Sequence, residues 1–162
     1  MTKKLKGKKH LARANMVVFD GEKKFTLEIL KYIHKSCSGF DYYVANFLMI
    51  TMDAYDENYT WSVTDKYFEI KGLENLYIEL KLERNTKEEL FFEGTEGTEL
   101  SFSYIPSEKL FKVMFNYKFH PKKARYQFGE DEEYEMCFYL NESQRNGLIK
   151  SIENILKMFP YR

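Results

Sequence analysis

Histidine, cysteine and clustered carboxylates are the side chains here whose types could do chemistry, and the first two are scarce. The chain has three histidines, His10, His34 and His120, and two cysteines, Cys37 and Cys137. General acid–base catalysis most often uses a histidine oriented by a partner. No H-E-x-x-H, H-x-x-x-H or Cys/His group occurs, so the ligand spacing of a zinc site is missing. His34 lies three residues before Cys37 and could pair with it as base and nucleophile. A thiol near an unrelated ring in a Ser-flanked loop is the plainer reading. Cys137 falls within an alternating segment and reads as a small packed side chain. There is no C-x-x-C and no G-x-S-x-G elbow. Gly94 and Gly97 sit among Glu93, Glu96 and Glu99. That setting would repel phosphate, and a turn is the expectation. No catalytic residue, metal ligand or cofactor site is assigned.

The carboxylates are more informative. Asp53, Asp56 and Glu57 surround one expected hairpin tip, and Glu130, Asp131, Glu132 and Glu133 run together in a polar loop. Neither group has EF-hand spacing. They read as solvated loops or as a face for a basic protein partner. These seven residues are the candidate partner-binding positions.

Charge is unevenly distributed along the chain. Its 162 residues carry 25 Lys and Arg against 25 Asp and Glu. Lys3, Lys4, Lys6, Lys8, Lys9 and Arg13 crowd into the first fifteen residues, leaving the remainder acidic. Residues 1–15 hold few large apolar side chains and are expected to be a disordered or loosely attached basic arm. Such a block binds nucleic acid, or merely solubilises. Residues 16–162 are of single-domain size. No secretion signal is evident, and Val44–Met52, the longest apolar run, is too short to span a bilayer. A soluble cytoplasmic protein is expected.

The elements that must position these residues follow from periodicity. Residues 133–140 alternate, with Tyr134, Met136, Phe138 and Leu140 on one side, as in a half-buried strand. Asn141 and Gln144 then form a capping box. The helix that follows, about 142–159, carries Leu148, Ile152, Ile155, Leu156 and Phe159 on one face and stops before Pro160. Residues 25–33 read as a strand with a break at Lys31. Residues 46–55 and 59–64 read as a hairpin turning at Asp56-Glu57-Asn58. Residues 16–19 form a short strand and residues 36–39 a loop. Strands are expected over 88–93 and 99–104, joined through Gly94 and Gly97, and over 109–119. Residues 120–132 are a polar loop with a strand-like stretch at 126–128. Residues 71–84 are ambiguous. Leu73, Leu76, Tyr77 and Leu80 fit a helix, while Leu76, Ile78, Leu80 and Leu82 fit a strand equally well. With 14 Phe and 13 Tyr mostly at alternating positions, the expectation is an α+β domain. Its mainly antiparallel β-sheet carries two helices, about 71–84 and 142–159.

The strand YEMCFYL, the helix NESQRNGLIKSIENIL and the ending KMFPYR resemble the C-terminus of the WapI-type immunity family. Those bacterial proteins protect a cell from the wall-associated or Rhs-type polymorphic toxins of its siblings. FTLEILKY, FLMITMDAYDENYTWSV and LFFEGTEGTELSFSY are similar to the family's upstream strands, so the resemblance covers about residues 25–162. It favours a helix at 71–84. It also implies a non-enzymatic protein that neutralises a cognate toxin domain, often a nuclease, by stoichiometric binding. In that reading the acidic body supplies steering and exposed aromatics the anchors. The alternatives are a nucleic-acid-binding accessory protein working through the Lys-rich arm, and a small hydrolase, which no motif supports.

Overall fold

The structure, a computed structural model, describes residues 13–34 and 44–162. His10, Cys37, the 36–39 loop and residues 1–12 of the expected arm lie outside them. The far end of that arm belongs to the domain: Ala14 is buried, its carbonyl accepts from the Ile29 amide at 2.8 Å, and Asn15 pairs with Glu28.

The strands are β1 (Asn15–Phe19), β2 (Lys24–Tyr32), β3 (Phe47–Tyr55), β4 (Thr60–Glu69), β5 (Leu90–Glu93), β6 (Leu100–Ile105), β7 (Leu110–Phe115) and β8 (Tyr134–Tyr139). The helices are α1 (Ile70–Lys81) and α2 (Glu142–Met158). The fold is α+β and antiparallel. Its strands form two sheets in consecutive order, β1–β4 and β5–β8.

Each sheet presents one apolar face, and the two faces pack together. Phe25 meets Phe102 and Phe115 at 6.0 Å between ring centroids, and Trp61 meets Phe115 at 5.0 Å. Strand β4 crosses the ends of the second sheet's strands. Trp61, near its start, packs on Tyr134 of β8, while Phe68, near its end, bridges to Thr95 just after β5. This crosswise arrangement is one of the standard ways to bury two twisted sheets.

Register explains where alternation misled. The break at Lys31 is a bulge, with a register shift between Ile29 and Lys31. A second shift lies opposite Leu48 and Ile50, so β4 continues through Asp-Lys-Tyr-Phe-Glu, well past the expected end at Thr64. Asp65 stays in phase with the buried Trp61 and faces inward, 5% exposed, and the shift after it turns Phe68 inward as well. Its carboxylate accepts from Lys118 Nζ at 2.6 Å and from the Tyr67 amide at 3.1 Å, the pairing a buried charge requires.

Two expected strands are corrected. Alternation predicts a strand over 109–119, but β7 ends at Phe115. Lys109 and Tyr117 both take positive φ, 51° each, and Tyr117–Phe119 is a 3-10 turn. Tyr117 and Phe119 fall on the strand-like rhythm only in sequence. Residues 126–128 are likewise not a strand and lead into a turn around Gly129.

The helices pair with each other and reach both sheets. Helix α2 lies along β1 and α1 along β5. The Tyr77 hydroxyl donates to Glu153 at 3.4 Å between the helices. Gly72 is what lets α1 approach: a Cβ there would stand 1.7 Å from the Glu93 carbonyl oxygen. Leu73, Leu76 and Leu80 are buried, whereas Ile78 and Leu82 are exposed. The helical reading of this segment therefore holds. The capping box of α2 is present, with Gln144 N to Asn141 Oδ1 at 2.8 Å and Asn141 N to Gln144 Oε1 at 2.9 Å. Among the described residues, no helix is long and apolar enough to cross a membrane.

Candidate partner-binding surface

The candidate carboxylates lie on the β3–β4 hairpin and on the long connection between β7 and β8, residues 116–133. The structure brings these two segments together at Tyr134, whose hydroxyl donates to the Asp56 carboxylate. The other Asp56 oxygen accepts from the Asn58 and Tyr59 amides at 2.8 and 2.9 Å, which is what an Asx residue does in a turn. Burial and then Asp56 push the Tyr134 hydroxyl pKa up to about 12. Glu57 is exposed beside Asp56 in a cleft also lined by Glu22, Lys23 and Tyr134.

Asp53 is not at that tip. It faces outward from β3, accepts a hydrogen bond from the Ser62 hydroxyl, and shares a groove with Lys24 and Lys123. In the second group, Asp131 is an internal brace. Its carboxylate pairs with Lys122 and accepts from the Gln127 amide at 2.7 Å. The Lys122 ammonium, then the Gln127 amide, hold its pKa low. Glu133 accepts from Asn116 Nδ2 at 2.6 Å. Glu130 and Glu132 are exposed. So of the seven carboxylates, Glu57, Glu130 and Glu132 point to solvent, while Asp56 and Asp131 build turns. Periodicity cannot distinguish these uses, because both place a carboxylate in a turn.

His120 organises the same loop. Its ring is buried; Nδ1 accepts from the Lys122 amide and Nε2 faces the Glu132 carbonyl, each at 3.1 Å. A backbone donor at Nδ1 and a carbonyl at Nε2 call for the neutral ring protonated at Nε2. Burial lowers its pKa further. With both nitrogens held by backbone, His120 is a brace and not a poised base. Cys137 lies on β8, where burial raises its thiol pKa, so it is a poor nucleophile. His34 is exposed, and its carbonyl accepts from Arg162 at 2.7 Å. Among the described residues, no three His, Cys, Asp or Glu side chains are grouped to hold a metal ion.

The rings around His120 have no counterpart among the sequence-derived candidates. Tyr126 sits 4.9 Å from His120, Tyr117 sits 5.7 Å from Tyr126, and Phe128 stacks on Tyr117 at 5.8 Å and 12°. The ladder runs from Tyr134, partly buried against the core, to Phe128, which is 78% exposed. Exposed aromatics were expected without positions, and Phe128 is among the most exposed rings of the described residues. Their signal in the sequence was faint, since Tyr126 and Phe128 look like one strand face.

A model of the Immunity protein WapI-like family matches residues 16–160. The chain belongs to that family. The match takes in both sheets, both helices and the whole 116–133 connection. No curated protein and no solved structure matches the chain.

Proposed function

We propose that this protein is a non-enzymatic immunity protein. It neutralises a cognate polymorphic-toxin domain in the bacterial cytoplasm by binding it one to one. The observation that carries this reading is the family match over residues 16–160. The state of His120 and Cys137 adds support, because neither is arranged for turnover. Where the toxin is a nuclease, its cleft is basic. Carboxylates such as Glu57, Glu130 and Glu132 then speed the encounter through complementary charge, with Asp53, Asp56, Asp131 and Glu133 adding to the same field.

Co-expression with the toxin domain encoded beside its gene tests the proposal. Growth should be restored, and a one-to-one complex should co-purify. Protection by sub-stoichiometric amounts would mean turnover and would sink the binding mechanism. Reversing Glu130 and Glu132 together should slow association and flatten its salt dependence without altering the melting temperature. An unchanged rate would make these carboxylates bystanders.

A further inference from the structure

We propose that the ring ladder Tyr117–Tyr126–Phe128 is the anchor by which the toxin domain docks, with Phe128 entering an apolar pocket on the toxin. This rests on the immunity reading above and gives it a location.

Three independent features converge on this loop. The first is its length. Strands β7 and β8 are antiparallel neighbours, which commonly need only about two to five connecting residues. The connection runs instead over residues 116–133, with two short 3-10 turns, Tyr117–Phe119 and Lys123–Arg125, as its regular structure, and surface loops so much longer than the strands need commonly carry function. The second is its stiffness. The Asp131 carboxylate and the Gln127 carbonyl and amide tie the turn around Phe128. Lys123 Nζ donates to the Ser62 carbonyl, and Trp61 Nε1 donates to the Phe119 carbonyl at 2.9 Å. A preorganised loop loses little entropy on binding. The third is strain. Tyr117 and Lys123 hold φ at 51° and 46°, uncommon for residues with side chains and an outlier for a ring as bulky as tyrosine. That conformation places the Tyr117 ring under Phe128.

Phe128 rests on the Tyr117 ring at the outer end of the ladder and leaves 78% of its surface exposed. Beside it lies an open groove of about 610 Å³ bounded by Val63, Thr64, Tyr117, Lys118, Lys123 and Tyr126. An exposed aromatic over a supported, partly apolar groove is the make-up of an interface hot spot.

Charge selects a protein over a nucleic acid as the occupant. A phosphate backbone needs cations it can take over. Here the Lys118 ammonium lies 2.6 Å from Asp65 and 3.2 Å from Glu99, Lys122 pairs with Asp131, and Lys123 Nζ is held by the Ser62 carbonyl; with Arg125 these cations are matched in the same loop by Glu130, Asp131, Glu132 and Glu133. Glu130 and Glu132, exposed in the same connection as the rings, would repel phosphate. Rings inside a rim of both charge signs fit a protein surface with an apolar pocket and a polar border.

The test measures affinity of the full chain for the neighbouring toxin domain, with Phe128→Ala, Tyr126→Ala and, as a control, Phe91→Ala. Phe91 is 68% exposed on β5, away from the loop. Phe128→Ala should weaken binding by at least about 30-fold, the scale of a hot-spot residue, and abolish protection in cells, with the melting temperature unchanged. Phe91→Ala should change affinity less than about threefold, as for a residue outside the hot spot. Wild-type binding that Phe128→Ala and Tyr126→Ala leave intact overturns the anchor and spares the immunity reading. Failure of the wild type to bind overturns both. If the wild type instead self-associates, or retains a single-stranded oligonucleotide, in a Phe128-dependent way while toxin affinity is indifferent to Phe128, the rings serve that other occupant and the proposal falls.

Discussion

The Tyr134 hydroxyl donates to the Asp56 carboxylate, joining the first residue of β8 to the β3–β4 hairpin tip across 78 positions of sequence. Because burial and Asp56 hold the Tyr134 pKa at about 12, the hydroxyl stays protonated throughout the physiological range. Tyr134→Phe should destabilise the domain by about 1.5–3 kcal/mol, the usual worth of a hydrogen bond to a charged group. Urea unfolding of the two proteins measures this. Glu57→Ala, one residue on and exposed, should change stability by less than about 0.5 kcal/mol.

The buried His120 makes stability fall in mild acid. Its folded pKa is lowered, first by burial, with Lys122 adding to the effect and the Glu132 carbonyl and Asp131 opposing it. The unfolded chain therefore binds the proton first as pH drops. The His120 contribution is complete above about pH 6.5 and is lost as pH falls below it, until the folded ring also protonates. Denaturation midpoints between pH 7.5 and 5 should decline in the wild type and decline less in His120→Gln. Parallel curves for the two proteins would show that some other group sets the slope.

Two helical glycines should respond to alanine in opposite directions. At Gly72 the new Cβ would overlap the Glu93 carbonyl, and the displacement of α1 from β5 should cost about 1–3 kcal/mol despite alanine's better helix propensity. At Gly147 nothing lies within 4 Å of the new atom. That substitution should stabilise by about 0.5–1 kcal/mol. Thermal melts of both variants give the signs.

The buried face of α2 should be far more sensitive than its outer face. Ile152 and Ile155 are fully buried, while Lys150 is exposed. Ile155→Ala should cost about 2–5 kcal/mol as an emptied aliphatic site, and Lys150→Ala should cost less than about 0.5 kcal/mol. Equal effects in chemical denaturation would mean the helix face is misassigned.

Local chemistry in the sequence determined α2 with its capping box, the β8 alternation, the β3–β4 hairpin turning at Asp56, and the break in β2. Each depends on residues within a few positions of one another, so each could be read without the fold. Residues 71–84 could not be settled by periodicity, because Leu76 and Leu80 suit a helix and a strand alike. What decides is the contact of Gly72 with β5 and of α1 with α2, partners distant in sequence. The second half of β4 was hidden by a charged residue at an inward position, Asp65 paired with Lys118, and by the bulge that breaks alternation before Phe68; the end of β7 was hidden by Tyr117 and Phe119 continuing an apolar rhythm after the backbone had turned. The candidate surface divides in the same way. Sequence marked the carboxylates as turn residues, but only tertiary structure separates Asp56 and Asp131, whose oxygens are bonded within the protein, from Glu57, Glu130 and Glu132, which face solvent. It alone stacks Phe128 on Tyr117, because exposure is decided by what packs above a side chain, and that is set by segments far away along the chain.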